Sequence, residues 1–250
     1  MKISAAVLTF NSESTIEKTL ESVAFLDEII VVDSGSSDST LSICERYTNK
    51  IFRRAWSGYA DQKKFAIDQC SNDWIFVLDS DEEASPALSS WLRGFDESRT
   101  KFDGFAFKRV MFIGGKRWDV VWRNEYRLRL FRKDRYRILV NEPHERIIVD
   151  GKCTRLDLEI YHYSYSSLKD QVTKLNNHAY TWAKNCLPRS NFAVLINLFV
   201  SPVARFVKLF FLKFGFLKGV TGYIVCKNEA YYSFLKYSYL YERLTIKSEK

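Results

Sequence analysis

Trp74-Ile75-Phe76-Val77-Leu78 runs directly into Asp79-Ser80-Asp81-Glu82-Glu83. Carboxylates crowded this closely repel one another unless a cation holds them. Oxygen donors of this kind suit Mg²⁺ or Mn²⁺, which also bridge to substrate phosphates. Asp79 and Asp81 alternate around Ser80, so on extended backbone both point the same way. The chemistry implied is a divalent-metal site gripping a nucleotide. A solvated acidic turn ahead of a helix fits the same residues, because Ser85-Pro86 supplies an N-cap followed by Pro at the first helical position. A second polar run, Asn141-Glu142-Pro143-His144-Glu145-Arg146, offers a histidine and two carboxylates before a strand. Ile148 stands where H-E-x-x-H needs its second histidine, so a zinc-protease reading fails. A carboxylate here, facing a metal-bound nucleotide, is a candidate general base.

Positioning such groups needs a sheet whose strand ends converge. The apolar run before Asp79 reads as a strand buried on both faces, as in a parallel sheet. Ile3 to Phe10 reads as a first strand, leading into Asn11-Ser12-Glu13. Ser14-Thr15-Ile16-Glu17 has the form of a capping box, so a helix is expected from there. Ile29 to Val32 is a second strand, ending at Asp33. A helix over Leu41 to Tyr47, a short strand at Ile51-Phe52 and a helix over Ala60 to Cys70 precede the acidic strand. Strands alternating with helices imply a doubly wound sheet, and right-handed crossovers put the strand-end loops on one rim. Thr9, Phe10, Asn11, Asp33 and the Asp79–Asp81 loop should therefore meet at one place, where open α/β sheets bind ligands. Asp33 is a candidate acceptor for a base N–H or ribose hydroxyl, or alternatively a helix cap. Of Lys63 and Lys64, one is placed to reach a diphosphate. No G-x-G-x-x-G follows the first strand and no P-loop pattern occurs.

From Gly104 the texture becomes strand-like, aromatic and arginine-rich. Leu128 and Leu130 alternate with Arg127 and Arg129, giving one apolar and one cationic face. This part is expected to build the acceptor side of a cleft. Residues 167–186 read as a helix. Residues 192–204 form an uncharged run that contains Pro202. A membrane span needs roughly 20 apolar residues, so a transmembrane helix is not expected. Gly215 and Gly219 should divide the sequence that follows into short helices. The net charge of +8 is uneven. Residues 184–250 hold eleven Lys/Arg against three Asp/Glu, whereas residues 1–183 hold 27 of each. Basic charge beside apolar sequence points to helices lying on an anionic bilayer. A helical subdomain packed on the core or on a second subunit is the alternative. Neutrality over 1–183 argues against nucleic acid as a partner. Five scattered cysteines without a C-x-x-C pair argue against a disulfide framework or zinc site and suit a reducing compartment. The N-terminus shows no charged–apolar–cleavable leader, so export is not expected.

Taken in order, Leu8-Thr9-Phe10-Asn11, Glu28 to Ser36, Gln62-Lys63, Leu78-Asp79-Ser80-Asp81-Glu82, Leu130-Phe131-Arg132, His144-Glu145-Arg146 and Phe234-Leu235-Lys236-Tyr237 resemble the inverting family 2 glycosyltransferases. More narrowly, the chain is similar to lipopolysaccharide core glucosyltransferases of the KdtX/WaaE and LgtF kind. The resemblance implies an α/β GT-A fold with a doubly wound mixed sheet. Residues 1–165 would be catalytic, with a Rossmann-like nucleotide half (1–100) and an acceptor half (101–165). Residues 166–250 would form a helical, membrane-associated extension.

It further implies a UDP-sugar donor, UDP-glucose by resemblance, and transfer with inversion to a heptose of the lipid A–core acceptor. Thr9, Asn11, Asp33, Lys63 and Asp79 would hold the nucleotide-sugar. Asp81 and Asp79, with His162 as a further candidate, would hold Mn²⁺ or Mg²⁺. Glu145 would be the base, with Glu142 its rival. Trp122 and Arg129 would line the acceptor site. The missing Q-x-x-R-W signature favours addition of single sugars. The cytoplasmic face of the bacterial inner membrane is the implied location, with peripheral attachment. Transfer to a polyprenyl phosphate, or a non-catalytic nucleotide-binding membrane adaptor, are the competing readings.

Overall fold

The structure is a computed structural model. It describes residues 2–123, 125–141, 144–187 and 190–246, with backbone alone at 140, 141, 144, 145 and 246. Two compact units result, one of residues 1–111 and 124–163, the other of residues 112–123 and 164–250.

The first unit begins with β1 (Ile3–Thr9), α1 (Ile16–Glu21), β2 (Glu28–Asp33), α2 (Thr40–Cys44), β3 (Ile51–Arg53), α3 (Tyr59–Gln69) and β4 (Trp74–Asp79). It continues with β5 (Glu82–Ala84), α4 (Pro86–Arg93) and β6 (Gly104–Ile113). After β7 (Lys116–Trp118), which belongs to the second unit, come β8 (Glu125–Arg132), β9 (Tyr136–Asn141), β10 (His144–Val149) and β11 (Cys153–Tyr165). Among the described residues the sheet order is β3-β2-β1-β4-β8-β6-β11-β5. The β3-β2-β1-β4 half is parallel, and β8 joins β4 antiparallel. The sheet is therefore mixed, as the sequence predicts.

Alternation along the parallel strands fills two cores. Ile3, Ala5, Val7, Val31, Trp74, Phe76 and Leu78 lie on one face, and Ala6, Ile30, Val32, Ile75 and Val77 on the other. Both faces are covered, which is why these strands read as continuous apolar runs. On the first face Trp74 meets Phe95 edge-on at 4.9 Å. On the second, Ile138, Ile147 and Val149 of the β9–β10 hairpin join Ala66 and Ile67 of α3.

Several local expectations change. The capping box at Ser14 does not form: the Ser12 carbonyl accepts from the Thr15 and Ile16 amides, and Glu17 instead meets Arg46 at 2.9 Å. The helix expected over Leu41 to Tyr47 shortens to α2. Glu82, expected in a loop, lies in β5, which pairs antiparallel with β11 and sets Glu82 opposite His162. The Ser85 cap does form, its hydroxyl accepting from the Leu88 amide at 3.2 Å.

The second unit holds α5 (Leu168–Asn185), α6 (Asn191–Val207), a π-turn over Lys208–Leu212, a 3₁₀ turn over Gly215–Lys218, and α7 (Gly219–Ile246). α7 packs on both α5 and α6. The chain divides at Gly215 and Gly219, as the sequence predicts, and ahead of that division α6 and the π-turn run on as one helix, Asn191–Leu212. Its 22 residues and mean hydropathy of 1.7 make it long and apolar enough to cross a membrane by length and composition. Pro202 lies inside it without breaking it, and the Arg205 guanidinium turns inward to Glu229 of α7.

Candidate active site at the parallel strand ends

Register brings the predicted residues abreast. Thr9 of β1 pairs with Asp33 of β2, and Leu8 with Asp79 of β4. The rim is stitched onward by Ser34 N–H donating to the Thr9 carbonyl (3.0 Å) and Ser80 N–H to the Leu8 carbonyl (3.1 Å). Asn11 adopts a left-handed backbone at φ 47°, a conformation Asn tolerates better than most residues. Its amide donates to Ser36 Oγ and its Oδ1 accepts from the Ser37 amide, so it ties the β1 and β2 loops together. Asp33 is wholly buried and caps its own loop, accepting from the Gly35 and Ser36 amides at 2.9 Å. The buried Thr9 hydroxyl has no partner among the described residues. An orphaned buried hydroxyl at a strand end is a position a ligand can satisfy.

Asp79 is the hub of a chain of ion pairs. Lys63 Nζ lies 3.1 Å from its Oδ1, and Arg129 Nη2 lies 2.8 Å from its Oδ2. The same Arg129 nitrogen reaches Glu82 Oε1 at 2.5 Å. Arg109 stands 3.7 Å from Glu82 and 3.0 Å from Glu125, which also holds Arg127. Burial alone would raise the Asp79 carboxyl, but Lys63 and Arg129 outweigh it and hold it well below the usual carboxylate range. Burial opposes the Arg129 charge, yet Glu82 and Asp79 push that guanidinium further toward its charged form. Glu125 is likewise held low, because Arg109 and Arg127 overcome its burial.

A bulge makes this arrangement possible. Phe105 pairs with Leu130 and Ala106 with Leu128, so Arg129 is the extra residue on β8. An unpaired bulge residue can be re-aimed. Arg129, predicted to line an acceptor site, is instead buried against Asp79 and Glu82. Lys63 is buried on Asp79, while Lys64 is exposed and pairs with Asp68 at 2.6 Å.

Asp81 lies one step further out. Its Oδ2 is 3.4 Å from His162 Nε2, and its carbonyl accepts from the Tyr163 amide at 2.8 Å. Among the described residues no cluster of three or more His, Cys, Asp or Glu forms a ready-made metal cage. Mg²⁺ and Mn²⁺ sites of the substrate-bridging kind need only one or two protein ligands, with phosphate and water completing the shell. Asp81 and His162 fit that lesser demand.

The remaining predicted residues divide. Trp122 belongs to the second unit, in a turn whose Val121 has φ 66°. The Glu145 backbone lies in β10 opposite Val140. Its side chain, and all of Glu142, lie outside the described residues. Sequence reasoning missed Glu82, Arg109 and Glu125 as members of the charged chain. The available signal was charge balance: buried carboxylates after β4 require cations, and β6 and β8 carry arginines.

A family model for glycosyl transferase family 2 matches residues 4–156. An uncharacterized glycosyltransferase of Rickettsia felis is 30% identical over 97% of this chain and 90% of its own length. The lipopolysaccharide core biosynthesis glycosyltransferase LpsC of Rhizobium meliloti is 28% identical over 99% of this chain and 95% of its own. Among solved structures, S. aureus TarS 1–349 is 15% identical with a TM-score of 0.46, covering 100% of this chain and 92% of that one. The architecture is mixed α/β, with a large mixed sheet and C-terminal helices. With the strand-end carboxylates and the family match spanning residues 4–156, the chain belongs to glycosyl transferase family 2.

Proposed function

We propose that this glycosyltransferase moves a hexose, glucose by resemblance, from a UDP-sugar to a heptose of the lipopolysaccharide inner core, with inversion at the anomeric carbon. The observation that carries the reading is the register Thr9–Asp33 and Leu8–Asp79, which sets three polar strand ends side by side. The lipopolysaccharide assignment is supported by the full-length similarity to LpsC.

In this reading the nucleoside occupies the rim of Thr9, Asn11 and Asp33. The orphaned Thr9 hydroxyl gains a partner there. Lys63 and Arg129 fix Asp79 as a carboxylate whose exposed edge meets the donor. Asp81 and His162 would hold Mg²⁺ or Mn²⁺, which supplies Lewis-acid neutralisation of the diphosphate when bound. Glu145, or its rival Glu142, takes the proton from the acceptor hydroxyl. The freed oxygen attacks the anomeric carbon from the side opposite UDP. The new C–O bond forms as the old one breaks, and the electron pair leaves with the UDP phosphate oxygen. One displacement of this geometry inverts the centre.

Glu145→Gln tests the base. Turnover should fall by about 10²-fold or more, within the range typical of a lost general base, while calorimetric UDP affinity stays unchanged. Full activity in that variant would reject Glu145 as the base. Loss of turnover in Glu142→Gln would then assign the base to Glu142, whereas full activity in both variants would favour a phosphate nucleophile, such as a polyprenyl phosphate, which needs no deprotonation.

A further inference from the structure

The long apolar helix of the second unit turns a partly polar row inward, set between the buried Val194 and Leu209. Asn197 donates to the Ala193 carbonyl at 2.8 Å, Ser201 donates to Asn197 Oδ1 at 2.9 Å, and Arg205 pairs with the buried Glu229 of α7. Its outward row is apolar: Phe199 is 72% exposed, Val203 65% and Leu212 68%. These residues recur at helical spacing and so share one stripe. They line a groove of about 550 Å³ whose rim includes Lys208. In water a contiguous apolar stripe of this kind is unfavourable, and it marks a surface that something covers.

Two observations select a lipid leaflet as that cover. The first is charge. Lys208 and Lys213 follow the stripe and have no ion-pair partner among the described residues, and residues 184–250 carry the chain's whole excess of +8. Lysines beside an exposed apolar stripe match anionic phosphate over acyl chains. The second is the company α6 keeps. It packs along α7, which carries Lys227, Glu229, Lys236 and Arg243, and α7 packs in turn on the polar α5. Helices that polar do not follow a partner through hydrocarbon. A spanning α6 would have to abandon the Arg205–Glu229 pair and leave Arg205 uncompensated at depth.

We propose that the outward face of α6, with the π-turn and 3₁₀ turn that follow, is an in-plane docking surface for an anionic membrane leaflet. Phe199, Val203, Leu212 and Leu217 enter the acyl boundary, and Lys208 and Lys213 meet lipid phosphate. The helix lies along the interface and does not cross it. This surface is independent of the sugar-transfer chemistry, and its test reads lipid binding alone.

The test uses the full chain with phosphatidylcholine vesicles containing about 30% phosphatidylglycerol, a composition chosen for its negative surface potential. Flotation should show binding that weakens as salt is raised. The paired change Phe199→Asp and Val203→Asp should lower partition by about tenfold or more, as loss of the buried apolar face demands. Both side chains are exposed, so the melting temperature should hold. Lys208→Gln with Lys213→Gln should remove the preference for anionic over neutral vesicles. Alkaline carbonate should release the vesicle-bound protein. Three results would overturn the proposal. Carbonate-resistant retention would make α6 a spanning helix. A dimer in sedimentation velocity, split by the aspartate pair and indifferent to vesicles, would assign the face to a second copy. Equal partition of wild type and the aspartate pair would remove the face from membrane binding altogether.

Discussion

Asp79 and Asp81 differ in role although they are near neighbours. Asp79 is engaged by Lys63 and Arg129, whereas Asp81 faces His162. Asp81→Asn should abolish the effect of Mn²⁺ on UDP affinity while leaving the thermal midpoint close to wild type. Asp79→Asn should lower both, because two buried cations lose a shared counter-charge. Calorimetry with and without the metal, alongside melting curves, separates the two. Equal behaviour of the variants would show that the outer carboxylate has no separate role. A second carboxylate far from the chemistry sets acid stability. Glu28 is buried, which by itself raises its carboxyl, but Lys50, Ser4 and Ser71 bring it down to about 2. A folded value below the ordinary 4.5 means the carboxylate stabilises the protein above about pH 4.5. That stabilisation fades as pH falls toward 2. The shift corresponds to about 3 kcal/mol. Urea midpoints of wild type and Glu28→Gln should differ at pH 7 and converge near pH 2.

The bulge on β8 is the element that converts a sequence pattern into a site. Simple alternation places Arg127 and Arg129 on one cationic face. The extra residue at Arg129 lets its guanidinium reach both Asp79 and the fully buried Glu82 of β5. β5 owes its position to pairing with β11, which also brings His162 toward Asp81. Strand, bulge and edge strand are thus joined through charge. Arg129→Met should cost about 3 kcal/mol, since it strands carboxylates in a buried setting. Glu82→Gln should cost less, because Arg129 retains Asp79. Chemical denaturation measures both, and a combined variant less destabilised than the two single costs added would confirm that the groups act as one network. Strict additivity would show that they do not.

At the scale of the whole molecule, charge and chemistry are partitioned along the chain. The strand-end carboxylates lie in the first unit, and the basic, apolar helices belong to the second. If the second unit holds the protein on an anionic leaflet, salt should act on delivery and spare chemistry. Raising salt from about 0.1 to about 0.5 M shortens the screening length from about 10 Å to about 4 Å, which weakens exposed-charge attraction. Turnover on a vesicle-embedded acceptor should therefore fall, while turnover on a soluble acceptor fragment stays level. Equal loss on both acceptors would place the salt effect in the first unit.

The sequence alone determined the alternating strands and helices, the convergence of Thr9, Asp33 and Asp79 on one rim, and the family resemblance. These rest on local patterns: uninterrupted apolar runs that must be buried on both faces, and polar residues at their ends. Tertiary structure alone decided which cations serve which carboxylates. Arg129 reads as a surface arginine until a bulge and the short strand β5 bring distant segments together, and no spacing along the chain reports that meeting. It also decided the course of α6. Pro202 and Arg205 look like interruptions in one dimension, but the buried Glu229 takes up the arginine's charge, so the helix continues with its apolar side outward.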